Sequence, residues 1–303
     1  MHYWVGITDR KWFERLRLRA PVEVNFWQPN ARRLANILQP GVPFLFKLHA
    51  PDNFIVGGGF FVRYSALPAR LAWDAFGEGN GVASYQELRT RVEKYRGPLT
   101  GDPEIGCNLL AEPFFFERHD WIPAPPSLHR NTQRGKTYGS QQGDGLALWQ
   151  QVEHRLKALS AGRAILDTDH PRFGAEYMTR SRWGQGTFRV LVTEAYGRRC
   201  AITGERTLPV LEAAHIKGYA DGGQHMVSNG LLLRADLHKL VDDFYLTVTE
   251  DLKVKVSPRI REEFHNGREY YQLADQSLKV KPVDLRDRPA PDFLRWHNER
   301  FLA

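Results

Sequence analysis

Four side chains between Cys200 and Asp243 have the types and spacing that hydrolysis of a phosphodiester requires: His215, Asn229, His238 and Asp242. That reaction needs water deprotonated in line with the scissile bond, by a base whose pKa lies near neutrality, and histidine is such a base. It also needs a cation to meet the charge that develops on the phosphate and on the leaving 3′ oxygen, usually a divalent metal. Two or three hard or imidazole ligands hold such an ion and leave positions open for phosphate and water. His215, at the end of the apolar run Leu208 to Ala214, can be the base. His238 and Asp242 stand at i and i+4, so on a helix they share one face and can hold the metal. Asn229, after a polar and turn-rich connection, can orient His215 through the backbone or join the ligand set.

The elements that must position these groups read as strand, long turn, strand and helix. Glu212 is close to the base in sequence, but strand alternation places it on the opposite face from His215, which leaves it out of the ligand set. Lys217, two residues past the base, is placed to touch nucleic acid. Upstream, Arg182-Trp183-Gly184-Gln185-Gly186 leads into a helix whose core face is Phe188, Leu191, Val192, Ala195 and Tyr196, with Gly197 as its C-cap. Cys200 to Gly204 reads as a short strand and turn. Downstream packing falls to Val241, Phe244, Tyr245, Leu246 and Val248, to Val254 to Val256, and to Phe293, Leu294, Trp296 and Phe301. His225, His265 and His297 are assigned structural or surface roles.

Ala214-His215-Ile216, Gly222-Gly223, Asn229-Gly230-Leu231-Leu232-Leu233 and His238 together resemble the HNH, or ββα-metal, nuclease motif. The resemblance implies His215 as general base, Asn229 in the middle position, and His238 as a metal ligand. Asp242 stands where some members place a further ligand. One divalent ion per site, Mg2+ or Mn2+, is the implied cofactor. Ala214 departs from the pattern, since many members carry Asp or His there as a ligand. That shifts weight onto His238, Asp242 and Asn229. The paired Cys-x-x-Cys knuckles of many relatives are also missing. Only Cys107 and Cys200 are present, so no structural zinc is expected.

Length and composition frame the rest. The 303 residues are 42% hydrophobic and 25% charged, which suits a soluble chain of about two domains. No run of about 18 apolar residues reads as a membrane span. The N-terminus lacks a signal-peptide layout and cysteine is scarce, which together predict a cytoplasmic setting. The net charge of +7 permits a polyanionic partner, and arginines crowd the stretch between Arg163 and Arg206.

Residues 1–138 predict a small mixed α/β or barrel-like domain. Strands are expected over Tyr3 to Thr8, Phe44 to His49, Phe54 to Tyr64, Ile105 to Phe116 and Trp121-Ile122; helices are expected over Lys11 to Leu18 and Ala31 to Leu38. Gly57-Gly58-Gly59 signals a bulge or a close backbone approach. Trp27, between Asn25-Phe26 and Gln28-Pro29-Asn30, reads as a loop tryptophan beside amides, a group that can stack on an extruded base. Tyr3-Trp4, Phe26-Trp27, Pro40-Gly41, Phe44-Leu45-Phe46 and Ile55-Val56-Gly57 resemble an EVE domain of the PUA-like superfamily, related to readers of modified bases. The resemblance implies a β-barrel with an aromatic pocket in which Trp27 is a cage residue and the backbone of Gly6 to Asp9, including Thr8 and Asp9, lines the wall. Trp12, Phe46 and Trp73 are further candidates, and Lys47 and Asn53 could contact phosphate or base.

Residues 139–180 read as a helical connector, with Leu146, Trp149, Val152, Leu156 and Leu159 as an apolar stripe, and residues 160–182 as a linker. Residues 181–303 form the HNH domain. The whole is an α+β chain that resembles an EVE–HNH modification-dependent endonuclease. Its implied partner is double-stranded DNA carrying 5-methyl- or 5-hydroxymethylcytosine, with no membrane involved. One site cuts one strand, so cutting both calls for a homodimer. An RNA-directed or nicking nuclease, and a non-catalytic reader with a decayed HNH scaffold, stay open as alternatives.

Overall fold

The computed structural model describes residues 1–32, 34, 38–129, 132–162 and 183–301. The chain divides into two compact units, Met1–Ser181 and Arg182–Ala303.

The first unit is built on one mixed sheet. Its strands are β1 (His2–Thr8), β2 (Glu23–Gln28), β3 (Pro43–Leu48), β4 (Phe54–Pro68), β5 (Glu104–Phe115), β6 (Ile122–Pro123) and β7 (Gly135–Gly139). The order is β2-β5-β4-β3-β1-β7, with β6 on β4, and only β1 and β3 run parallel. β2 and β7 end on opposite edges, so the expected barrel is replaced by an open sheet. The physical reason lies in the alternation of side chains. On β1, Tyr3 and Val5 enter one core while Trp4 enters another, so both faces are buried under separate covers. A barrel would use one face as its interior.

One cover is α1 (Arg10–Arg19), which sends Trp12, Phe13 and Leu16 against Phe26, Phe44 and Phe46. Asp9 caps it by accepting the Trp12 N–H at 2.9 Å, a contact worth about 1 kcal/mol. The other face takes α4 (Gly143–Gly162), whose Leu148, Trp149 and Val152 pack with Tyr3 and Tyr138. The helix expected to be a connector is thus part of this unit's core, and the division expected between residues 138 and 139 falls within the edge strand β7, paired antiparallel with β1. Two helices not foreseen, α2 (Ala69–Phe76) and α3 (Tyr85–Arg96), follow β4. The triple glycine does permit a close approach: a Cβ on Gly57 would lie 2.3 Å from the Phe114 carbonyl oxygen. The helix expected over 31–38 falls largely outside the described residues, as does the linker past the end of α4. Among the described residues, no helix is long and apolar enough to cross a membrane.

The second unit joins α5 (Gln185–Ala195), the hairpin β8 (Leu211–His215) with β9 (Gly230–Arg234), and α6 (Ala235–Asp242). After them come β10 (Leu246–Val248), β11 (Val254–Val256), α7 (Arg259–Phe264), α8 (Arg268–Tyr271) and α9 (Pro291–Asn298). Phe188, Leu191, Val192, Ala214, Ile216, Leu231, Leu232, Leu233, Leu237 and Val241 share one core. Cys200 to Thr203 is a turn, not a strand, and its Ala201 N–H donates to the Leu232 carbonyl at 2.7 Å. Buried Cys200 is a free thiol within this core.

Candidate active site

The site grows from the β8–β9 hairpin and the helix that follows it without a break. β8 and β9 pair antiparallel, with His215 opposite Gly230. The His215 ring lies flat on Phe188 of α5, centroids 3.9 Å apart and planes 9° apart. Gly230 makes room for that stack, since a Cβ there would come within 2.5 Å of Val192 and 3.1 Å of Phe188. Burial pushes the His215 pKa down to about 4, with His225 and His238 adding to the shift and Asp242 opposing it. The imidazole is therefore neutral at ordinary pH, the protonation state a base requires.

Asn229 is fully buried. Its Oδ1 accepts the Lys217 N–H at 2.9 Å, and its Nδ2 donates to the carbonyls of Lys217 and Gln224, each at 2.9 Å. Of the two roles expected for Asn229, these contacts are of the backbone-bonding kind: the amide closes the 217–229 loop that follows the base. Asn229→Ala is expected to leave three backbone groups without their partner and to cost about 2–4 kcal/mol, read as a lower melting temperature. Unchanged stability would show that the loop holds without this amide.

His238 projects from α6 between two carboxylates. Its Nδ1 is 2.7 Å from Glu212 Oε2 and its Nε2 is 3.3 Å from Asp242 Oδ2. Burial alone would lower its pKa, but the Asp242 and Glu212 carboxylates outweigh burial and hold it above the ordinary histidine value. Glu212 is the residue that sequence reasoning set aside. Alternation does turn it away from His215, but it shares the strand face of Ala214, the position the resemblance fills with Asp or His. α6 packs on β8 so that this acid, one pleat upstream, reaches His238.

The donor chemistry around His238 suits a hard divalent ion, although among the described residues no three ligating side chains converge on one point. His238 Nε2 and the Asp242 carboxylate are the donors an ion could share. Glu212, on the far ring nitrogen, holds the imidazole with Nε2 toward Asp242, the orientation in which the pair would offer its donors to an ion.

Other expected residues are placed as follows. The Lys217 ammonium lies 5.6 Å from the centre of the Trp296 ring, and the Arg300 guanidinium 4.1 Å from it. His297 is buried, in hydrogen-bond contact with Thr247 Oγ1 and the Val241 carbonyl, and so braces the end of α6. His225 is no bystander: its Nδ1 is 3.0 Å from His215 Nε2.

In the first unit, the expected base-pocket residues are not brought together. Trp12 and Phe46 are buried in one aromatic cluster, their ring centroids 5.1 Å apart. Trp27 is on strand β2, not a loop, and its neighbour Phe26 belongs to that cluster, so alternation turns Trp27 to the opposite face. There, half-buried, it donates its indole N–H to the Asn80 carbonyl at 2.9 Å. Trp73 is half-buried on α2. Thr8 is buried at the end of β1, and Asp9 serves as the α1 cap and as a partner of Arg91 at 3.2 Å. Lys47 is also buried, and its ammonium donates to Asn53 Oδ1 at 2.7 Å; burial holds its pKa below the usual lysine value. The pair engages itself rather than an open phosphate site.

Residues 200–249 match the HNH endonuclease family. This span contains His215, Asn229, His238 and Asp242, and both residues sequence reasoning missed, Glu212 and His225. The second unit thus contains a segment that matches the HNH endonuclease family. No curated protein matches the sequence. Among solved structures, the chain is similar to one described as a modification-dependent TagI restriction endonuclease, at 15% identity and a TM-score of 0.29, over 92% of this chain and 75% of that one. A likeness at these values carries neither fold nor activity across.

Proposed function

We propose that the chain is a modification-dependent DNA endonuclease, in which the first unit holds an extruded 5-methyl- or 5-hydroxymethylcytosine and the second cuts double-stranded DNA. The observation that carries the cutting half is His215 at the end of β8, stacked on Phe188, beside a helix that presents His238 with its two carboxylates. In the proposed reaction His215 takes a proton from water. His238 and Asp242 would hold a divalent ion, Mg2+ or Mn2+, with Glu212 orienting His238. Such an ion supplies Lewis-acid stabilisation of the charge on phosphate and leaving oxygen. Lys217 and Arg300, flanking Trp296, meet the DNA backbone.

The reading half rests on the EVE-like sequence pattern and on Trp27. That indole is half-exposed on β2 beside the buried amides of Asn25 and Asn80, which bond to each other at 2.9 Å. Asn25 Oδ1 is buried with no hydrogen-bond partner among the described residues. Cleavage of a substrate panel differing only at cytosine C5 tests the proposal. Cutting confined to modified DNA, and lost in Trp27→Ala, is the expected result. Equal cutting of unmodified DNA would overturn it.

The base also predicts a pH profile. A base acts when deprotonated, so activity falls as pH drops through its pKa. Burial holds the His215 pKa well below the ordinary histidine value, so with Mn2+ kept saturating at every pH the acid limb of kcat/KM that belongs to His215 should lie below that value. Loss of kcat/KM centred near the ordinary histidine value would assign the limb to another group.

A further inference from the structure

We propose that His225 is a positioning residue for the base: it accepts the Nε2–H of His215 at its own Nδ1, and thereby makes His215 Nδ1 the nitrogen that takes the proton from water. The inference rests on the nuclease reading for its mechanistic meaning, but its central measurement does not.

The distance sets a hydrogen bond between the two rings, and the base role sets its direction. His215 Nε2 and His225 Nδ1 are 3.0 Å apart, a hydrogen bond between two imidazoles. A neutral imidazole has one N–H and one lone pair. Were His225 the donor, its N–H would occupy the Nε2 lone pair of His215, whose other nitrogen would carry the proton. No free lone pair would then remain on His215, and the ring could not act as a base. The reverse arrangement keeps the proton on Nε2, shared with His225, and frees Nδ1.

The surroundings hold this pair in place. His225 lies flat on Tyr219, centroids 4.8 Å and planes 9° apart, while His215 lies flat on Phe188. The loop bearing His225 is tied one residue away, where the Gln224 carbonyl accepts from Asn229. His225 therefore has the part that a carboxylate plays behind the histidine of other hydrolytic sites, orienting the base and stabilising the imidazolium as it forms. In the step itself, the water O–H bond breaks and its proton goes to His215 Nδ1. The oxygen bonds to phosphorus, the bond from phosphorus to the 3′ oxygen breaks, and the leaving oxygen takes a proton from solvent.

The test uses the full chain labelled with 15N. Long-range proton–nitrogen NMR reads the His215 tautomer in wild type, His225→Asn and His225→Ala, alongside kcat and KM for cleavage. An asparagine Oδ1 can stand where the histidine Nδ1 stood, so His225→Asn should keep the Nε2–H tautomer and most of kcat. His225→Ala should mix the tautomers and lower kcat by on the order of 10–100-fold at unchanged KM, as for other partners that orient a functional imidazole. A wild-type His215 protonated on Nδ1, or His225→Ala cleaving at the wild-type rate, would overturn the proposal. If wild type cuts no DNA, the nuclease reading fails, while the tautomer still decides the role of His225. Should His225→Ala misfold, the wild-type and asparagine tautomers decide alone.

Discussion

Replacing His215 with alanine is expected to lower kcat for DNA cleavage by on the order of 10²–10⁴-fold, the range a positioned general base contributes. No other described imidazole is placed to substitute for it. His238 is held between Glu212 and Asp242, and His225 faces His215 itself. The substitution also strips a ring from Phe188, so part of the effect could come through packing. His215→Gln keeps most of the volume on Phe188 and removes the basic nitrogen. Both variants should lose cleavage alike, while His215→Gln keeps the wild-type melting temperature. Single-turnover cutting of end-labelled duplex at saturating Mn2+ is the measurement. Full activity in either variant would remove His215 from the base role.

The hairpin and helix of the site were legible because their cues are local. His215 ends an apolar run, Asn229 follows a turn-rich stretch, and His238 and Asp242 are one helical turn apart. Glu212 and His225 were not legible, for different reasons. Alternation says that Glu212 leaves the His215 face, but not that α6 will pack on the face it joins. The place of His225 depends on a loop closed by Asn229, whose three bonds no pattern of residue types announces. In the first unit the long strands could be read, but not the sheet's closure. Trp4 and Tyr3 are equally apolar neighbours, and only the structure shows each entering its own core. Trp27 was misplaced as a loop residue because Gln28-Pro29 looks like a turn, although β2 runs through Gln28. The division placed between residues 138 and 139 falls inside β7, whose Gly135 pairs with Gly6 at the sheet edge.

His238 and Glu212 should separate in a way that tests the ion site. His238→Ala removes the only imidazole donor proposed for the ion and leaves two carboxylates without the group that bridges them. Ion binding, followed by Mn2+ titration calorimetry, should weaken by on the order of 100-fold or more, and excess metal should not restore cutting. Glu212→Gln keeps an acceptor for the Nδ1–H but removes the charge behind the ring. A loss on the order of 10-fold in affinity is expected, recovered by raising the Mn2+ concentration. The sign of the pH effect follows from the same contacts. The carboxylates hold the His238 pKa above its ordinary value, and an ion must displace that proton. Binding should therefore weaken as pH falls through that raised pKa, with uptake of the ion releasing a proton. Glu212→Gln withdraws one of the two stabilising charges, so its binding should persist to lower pH than in wild type, even though it is weaker at high pH. Equal affinities for wild type and His238→Ala would place the ion elsewhere.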